Sequence, residues 1–453
     1  MFKKIVLRNF RSFENLEFDM CSKKGVAQPF ITIYGENGSG KTNLVQSIAF
    51  LKSSVGTRLV NQAEVLEKLR TAPLGPESGE EGRLIKESLD HLLDALGSSL
   101  SKVNTDIRSH SIPSRMIGSA EDMVLSFIFE VNGNDAEYGM AFGTDGRIVR
   151  EHLNHVYRKN VTQFFSCTLE DGAIQASLND SVFSKRFQKD LREQVGKYWG
   201  NHTLLAILNE QYSLNNPSFM NDNVHGGLGV ILDYIRDLKL NVVDQPFESM
   251  SDLSEGMIPK TELSRLRRNE TALGKFFTRL YSDVRGVYYK EKEYNDHVQY
   301  TLYLRKMIGG TVRDIPFEQE SKGTRKLAKI FPPLMHCASG SVGFIDELDS
   351  NIHDNLVFEM MKEIIPEIKG QLIITTHNTS LLEVLDPKSV YVLRIDAEGR
   401  KDITSFHSIA RTQKNHNNRD RYLGGVYGGI PYIGELNILE IADEYFEDPQ
   451  ESQ

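Results

Sequence analysis

The run Phe30-Ile-Thr-Ile-Tyr34-Gly35-Glu-Asn-Gly-Ser-Gly40-Lys41-Thr42-Asn43 decides the fold. Its first residues are a short apolar run of β character that stops at Tyr34. Gly35 to Thr42 then fits G-x-x-x-x-G-K-[ST]. Behind it, TNLVQSIAFLK has helical spacing, with Leu44, Ile48 and Leu51 on one side. Each part has a physical task. Glycines let backbone N–H groups turn inward around phosphate oxygens, and the following helix presents its N-terminus to the anion. Gly35, Asn37, Gly38, Ser39, Gly40, Lys41, Thr42 and Asn43 are therefore the expected cradle for a nucleoside triphosphate. Lys41 reaches the β- and γ-phosphates, and the Thr42 hydroxyl ligates Mg²⁺. A strand before the motif and a helix after it separate this match from a chance one.

Working outward, the β pattern begins at once, with Ile5 and Leu7 and then Leu16 and Phe18 on alternating positions. Residues 72–92 and 97–120 are rich in Gly, Ser, Pro and charge and read as loops around a short helix. MVLSFIFEV (123–131) alternates, NGND signals a hairpin, and EYGMAF continues in β register. From about 152 to 300 the pattern reads as mostly helical and more polar, most clearly in FSKRFQKDLREQVGKYW and TELSRLRRNETALGKFFTRLYSDV. Short apolar runs return at VGFID (342–346), QLIITT (371–376) and VYVLRI (390–395), which suggests buried parallel strands. The expected architecture is an α/β P-loop head with a predominantly helical insertion. Its parts are an N-terminal lobe 1–155, the insertion 156–309 and a C-terminal lobe 310–453.

Two more elements carry chemistry. Ser341-Val-Gly-Phe-Ile-Asp346-Glu347 is an apolar strand ending in two acids, which a parallel sheet would place beside the phosphate loop. Asp346 then holds Mg²⁺, and Glu347 polarises the attacking water. QLIITTHNTSLL ends its strand at Thr376-His377, where His377 could meet a γ-phosphate. Glu320-Ser321-Lys322-Gly323-Thr324 opens a predicted helix, TRKLAKIF, interrupted by Pro332 and Pro333. Ser321 suits its N-cap, and Gly323 permits close backbone approach.

Composition bounds the rest. The chain has 453 residues, 53 Lys plus Arg and 62 Asp plus Glu, so its net charge of -9 excludes a globally basic nucleic-acid coat protein. Cys21, Cys167 and Cys337 are sparse and lack metal spacing, which fits a reducing cytoplasm. No apolar run approaches the roughly 18 residues a membrane span needs. The opening MFKKIVLRNF reads as a strand and not as a signal peptide. A cytoplasmic protein is expected.

In that order, GENGSGKT, ESKGTRKL, VGFIDELD and IITTH resemble the ABC-type ATPase head: Walker A, signature, Walker B with its glutamate, D-loop and switch histidine. ESKGT departs from the common LSGGQ signature. It looks like the version of the SMC, RecF and OLD-like branch, and most of all that of the ABC-like AAA-type ATPases of the RloA, AbiL, PtuA and AriA kind. KIVLRNFRSFENLEF is similar to that branch's first hairpin, the 123–153 hairpin segment to its central sheet, and RYLGGVYGGIPYIGEL to its C-terminal motif. The resemblance covers roughly residues 1–60, 120–155 and 310–435. It implies two protomers, or a larger ring of dimers, packed head to tail around ATP, with Ser321 and Gly323 of one chain capping the phosphate held by Lys41 of the other. It also implies that Arg11 reaches the nucleotide. The function implied is that of a prokaryotic antiviral-defence ATPase that controls a separate effector.

After His377 the chain lacks both the length and the D-x-D pair of a Toprim nuclease, so no nuclease activity is expected in this chain. H-E-x-x-H and G-x-S-x-G are absent as well. A basic stretch, Arg265, Arg267, Arg268, Lys275, Arg279, Arg285 and Lys290, is interleaved with Phe276, Phe277, Tyr281, Tyr288 and Tyr289. It reads either as a nucleic-acid contact or, more ordinarily, as the solvated and core faces of a helix. A second cluster, Arg411, Lys414, His416, Arg419 and Arg421, reads as a partner-binding loop. Two rival functions stand beside the first: a DNA-maintenance ATPase of the RecF or SMC kind, and an ATP-dependent scaffold with negligible turnover.

Overall fold

The computed structural model describes residues 1–22, 25–58, 106–157, 160–242, 251–294, 296–410, 417–431, 434 and 436–446. Among the described residues, seventeen strands form three sheets. The first is antiparallel and built from β1 (Phe2–Phe10), β2 (Phe13–Asp19), β4 (Met123–Val131), β5 (Asn134–Phe142), β6 (Ile148–Tyr157), β7 (Asn160–Glu170) and β8 (Ala173–Leu178), in the order β2-β1-β4-β5-β6-β7-β8. The predicted NGND hairpin joins β4 to β5. Asn132 and Gly133 both take positive φ there, as a tight two-residue turn demands.

The central sheet has the order β17-β16-β3-β15-β14-β9. Its members are β3 (Phe30–Tyr34), β9 (Lys239–Asn241), β14 (Val342–Ile345), β15 (Gln371–Thr375), β16 (Val390–Ile395) and β17 (Lys401–Ser405). All neighbours are parallel except β16 and β17. The apolar runs therefore are buried parallel strands. Their side chains alternate between two cores. Ile31, Ile33, Phe344, Ile373 and Leu393 face the antiparallel sheet and helix α1 (Lys41–Ser54). Tyr34, Ile345, Leu372, Ile374 and Val392 face the opposite core. The buried Gln371 side chain ties the layers together. It accepts the Phe2 N–H (2.6 Å) and donates to the carbonyls of Phe2 (3.0 Å) and Gln28 (2.9 Å).

The stretch read as mostly helical is only partly so. Helices α2 (Lys185–Tyr198), α3 (Leu204–Leu214), α4 (Gly226–Arg236) and α5 (Leu263–Leu280) are present. However, β7 and β8 extend the antiparallel sheet, and a third sheet follows. It consists of β10 (Glu255–Pro259), β11 (Val284–Tyr294), β12 (His297–Ile308) and β13 (Thr311–Pro316), all paired antiparallel. Position 155 falls inside β6 and position 309 in the turn between β12 and β13. The 123–153 hairpin belongs to the antiparallel sheet and not to the central one.

In the second core, α6 (Lys322–Ser339) and α7 (Asp354–Ile364) cover the central sheet. Pro332 and Pro333 lie inside α6 and do not end it; the helix runs on to Gly340, whose φ of 115° supplies a left-handed cap. Burial of Phe331, Leu334 and Cys337 against the sheet outweighs the backbone bonds the prolines forfeit. The segments 72–92 and 97–105 lie outside the described residues, while the remainder of the 97–120 stretch holds the short helix Arg108–Ser111 and the 3₁₀ turn Ile112–Ser114. No described helix is long and apolar enough to cross a membrane.

Candidate nucleotide site

The strand β3 is buried at every position and delivers Gly35 to the carboxyl edge of the central sheet. Gly35, Gly38 and Gly40 all have positive φ, at 150°, 79° and 109°. A Cβ on Gly35 would stand 2.5 Å from the Leu393 carbonyl oxygen, and one on Gly40 would stand 2.9 Å from the Phe13 ring. The glycines at both ends of the loop are thus required by close approach as well as by φ. Lys41, the first residue of α1, is buried, and its ammonium donates to the carbonyls of Gly35 (2.8 Å) and Glu36 (3.0 Å). Burial lowers its pKa, against the opposing pull of Asp346, Glu347, Asp349 and Glu36. The buried Ser39 hydroxyl has no partner. Asn43 is anchored sideways and donates to the Ser12 hydroxyl (2.7 Å).

β14 ends at Ile345, and Asp346 and Glu347 follow at the same edge of the sheet. Asp346 is fully buried. Its Oδ1 accepts the Thr375 hydroxyl (2.6 Å), while Oδ2 has no partner. Thr375 also accepts the Glu347 N–H (2.8 Å). Glu347 itself has φ 47°, a left-handed conformation that the Thr375 bond holds in place. Asp349 accepts the Thr376 hydroxyl (2.6 Å) and the backbone N–H of His377 (3.2 Å). The His377 side chain is exposed at the edge of this cluster. Partial desolvation and the charge of Lys41 lower its pKa, and the three nearby carboxylates oppose them.

Lys41, Asp346, Glu347, Asp349 and His377 therefore share one electrostatic neighbourhood at the carboxyl edge of the sheet. Ser321 lies elsewhere. It is the N-cap of α6, as read, and accepts the Thr324 N–H (3.1 Å). A Cβ on Gly323 would collide with the Asn351 carbonyl oxygen. The signature start thus packs on the loop after Asp349, and Ser321 is exposed. Arg11 sits in the β1–β2 turn with φ 52°; its Nε is buried without a partner, and burial lowers its pKa. Its neighbour Ser12 is the residue bonded to Asn43.

Sequence reasoning missed four contributors. Thr375 bridges the two acids; its only signal was a hydroxyl two positions before the histidine. Lys401 donates to the Gly38 carbonyl (2.9 Å) from β17. Lys326, on α6, donates to the Asp346 carbonyl (3.0 Å) and to Asn241 Oδ1 (3.2 Å). Gly429 packs against the Gly35 Cα, at 3.4 Å from its own ideal Cβ position. The basic stretch resolves mostly into the ordinary reading. Phe277 and Tyr289 are core, Phe276 packs on Phe331, and Arg267 pairs with Glu270 and Glu291. Of the second cluster, Arg411, Lys414 and His416 lie outside the described residues; Arg419 pairs with Glu383 (2.9 Å), and Arg421 lies over the Tyr427 ring.

Among known proteins, a family model described as an AAA domain matches residues 4–73. A second, an AAA domain whose description names the AbiEii toxin and a Type IV TA system, matches residues 232–383. The DNA replication and repair proteins RecF of Listeria welshimeri and Listeria innocua are each 35% identical over 85 residues. That stretch is 18% of this chain, and the chain spans 19% of the length of these relatives. Among solved structures, an SMC head bound to the C-winged helix domain of ScpA is 13% identical with a TM-score of 0.45, covering 89% of this chain and 97% of that one. The SMC head domain from Thermotoga maritima is 14% identical with a TM-score of 0.36, covering 89% and 98%. The parallel sheet order, the loop between β3 and α1 and the two AAA matches make the fold that of a P-loop ATPase head of mixed α/β architecture.

Proposed function

We propose that this chain hydrolyses ATP between two copies of itself, and that it is the ATPase subunit of an anti-phage defence system that controls a separate effector. The observation that carries the ATPase reading is the buried Asp346 carboxylate, with one oxygen fixed by Thr375 and the other unpartnered beside the phosphate loop. A buried carboxylate oxygen without a hydrogen bond is costly unless a cation takes it. The donor set fits Mg²⁺: Thr42 and Asp346 would hold it, with phosphate and water oxygens completing the shell. The ion would neutralise charge developing on the transferred phosphoryl group.

This chain's own residues do the rest. Lys41 exchanges the Gly35 and Glu36 carbonyls for phosphate oxygens. Glu347 accepts a proton from the attacking water, and Thr375 fixes its backbone. His377, its pKa depressed, stays neutral at physiological pH and can donate a hydrogen bond to the γ-phosphate or the water. Ser321 is exposed and its cap bonds are confined to α6, which supports its service to a second copy's nucleotide. Arg11, with an unpartnered guanidinium N–H next to Ser12, is proposed as a further contact to the nucleotide. The AbiEii wording of the second AAA match supports the defence role, and nuclease or toxin chemistry is assigned to another polypeptide.

The deciding experiment is a mixing assay. Lys41→Ala and Ser321→Arg should each abolish turnover alone, and mixed they should restore roughly one working pocket per hybrid dimer. Glu347→Gln should keep ATP binding while trapping the closed pair. Full turnover by a single copy at any dilution would refute the shared pocket. The RecF match favours one second reading, a DNA-maintenance ATPase. Hydrolysis stimulated by DNA and strongly weakened by salt would select it over effector control.

A further inference from the structure

The described chain carries a helix whose large apolar side chains stand open to solvent. Helix α8 (Ile438–Phe446) has no buried residue. Ile438, Ile441 and Tyr445 recur along one face, and Leu439 and Phe446 beside it are 77% and 80% exposed. Its other face is Glu440, Asp443 and Glu444, with no basic residue. An acidic amphipathic helix of this kind needs an apolar seat with a basic rim.

A cleft with such a basic rim lies at the side of α6. A pocket of about 440 Å³ lies between α6 and the outer face of the β10–β13 sheet. From α6 it is lined by Lys322, Arg325, Lys326 and Lys329, and on the other side by Glu255, Thr301, Phe317 and Glu318, so four cations stand there against two acids. Lys322, Arg325 and Lys329 enter no ion pair among the described residues. The register places Met257, Tyr288 and Tyr303 on the same outer face as Thr301. Met257 is exposed, and the two tyrosines stack on each other. The pocket is large enough to seat side chains of a helix lying across it.

We propose that α8 of one copy docks across this cleft on a second copy. The proposal rests on the head-to-tail reading above, and the tether supplies its geometry. Gly429 is packed against Gly35 at the base of the phosphate loop. Six residues separate Pro431 from Ile438, a reach of at most about 25 Å. In the head-to-tail pair, that loop faces the partner copy's signature, and the cleft begins one residue beyond it, at Lys322. In that pairing the strap would reach toward the cleft of the other copy. Its acids meet unpaired cations, and the contact would tighten as the nucleotide draws the copies together.

Cysteine pairing tests this in the full chain. Tyr445→Cys in one copy and Met257→Cys in another, mixed and mildly oxidised, should give a disulfide-linked dimer well above the wild-type background of the native thiols. Glu440→Lys with Glu444→Lys should cut the yield at least tenfold, and Lys322→Glu with Arg325→Glu on the other copy should restore it. A link formed within one doubly substituted chain at high dilution, or no link at all, overturns the docking. The mixing assay with Lys41 and Ser321 variants separates the two ideas. Rescue without a link removes the docking and keeps the shared pocket, whereas a link without rescue keeps the docking and removes the shared pocket.

Discussion

One hydroxyl organises the acids of the site. Thr375 donates to Asp346 Oδ1 and accepts the Glu347 N–H, so a single side chain sets both the carboxylate and the left-handed turn that aims its neighbour. Valine has the same shape without the donor or the acceptor. Thr375→Val should therefore leave a buried carboxylate oxygen and a backbone N–H short of a partner, at a cost of about 1–3 kcal/mol. The catalytic loss should be larger than that stability loss implies, because Glu347 loses its fixed position. Turnover is expected to fall at least tenfold with ATP affinity nearly kept, and Thr375→Ser should recover most of it. Urea unfolding and steady-state hydrolysis measure the two effects separately. A valine variant with normal turnover would show that Thr375 is merely packed there.

At the scale of elements, a second buried acid does structural work far from the chemistry. Glu151 on β6 accepts the Tyr138 hydroxyl (2.9 Å), the Trp199 indole N–H (2.8 Å) and the N–H groups of Leu204 (2.7 Å) and Leu205 (3.3 Å) that open α3. It thus pins a helix N-terminus to the antiparallel sheet. Removing it in Glu151→Ala strands four donors, which should cost at least about 3 kcal/mol. Burial pushes its pKa up, with the four donors pulling the other way. Folding therefore favours the protonated acid; this contribution is whole below the ordinary carboxylate range and fades as pH rises through the elevated value. The stability gap between the native chain and Glu151→Ala should be wider near about pH 5 than near about pH 8 in urea titrations, and a gap that widens with pH would contradict it. Such tertiary partners also mark where reading the sequence stops. β3, β14 and β15 were legible because short, mostly apolar runs bounded by glycines and turn residues suit buried strands, and the loop and the acids follow from them. The β7 strand was not: Phe164 and Phe165 are both buried, because Phe164 is the extra residue of a bulge opposite Leu153 and Asn154 and breaks the period of two. The outer half of β11, Lys-Glu-Lys-Glu-Tyr, uses helix-favouring residues in an exposed hairpin held by cross-strand pairs. Thr375 and Lys401 were invisible for a related reason. Their roles depend on the strand order β17-β16-β3-β15-β14, which no local pattern encodes.

Across the whole molecule, the phosphate loop is finished only when residues nearly 400 positions away arrive. Tyr422 and Tyr427 stack on Phe406 beneath Tyr34, and the Tyr422 hydroxyl donates to the Gly429 carbonyl (3.0 Å). This plug holds Gly429 at φ 69° against Gly35 and β16. A methyl group at 429 would strike the Val392 side chain inside the packed layer, while one at 428 would meet the flexible stem of Arg394 at 3.0 Å. Both positions have left-handed backbone, so alanine pays about 1–2 kcal/mol of strain at either. Only at 429 is there the added clash with a packed side chain of β16, the neighbour of the strand that carries the loop. Gly429→Ala should therefore weaken ATP binding at least tenfold, and Gly428→Ala should bind nearly as the native chain does. Calorimetric titration of ATP into both variants, each shown folded by circular dichroism, gives the comparison. Equal affinities would mean that the plug supports stability alone. A loss confined to Gly429→Ala would make the C-terminal segment a working wall of the nucleotide site, through which a protein that grips this end of the chain could adjust ATP affinity.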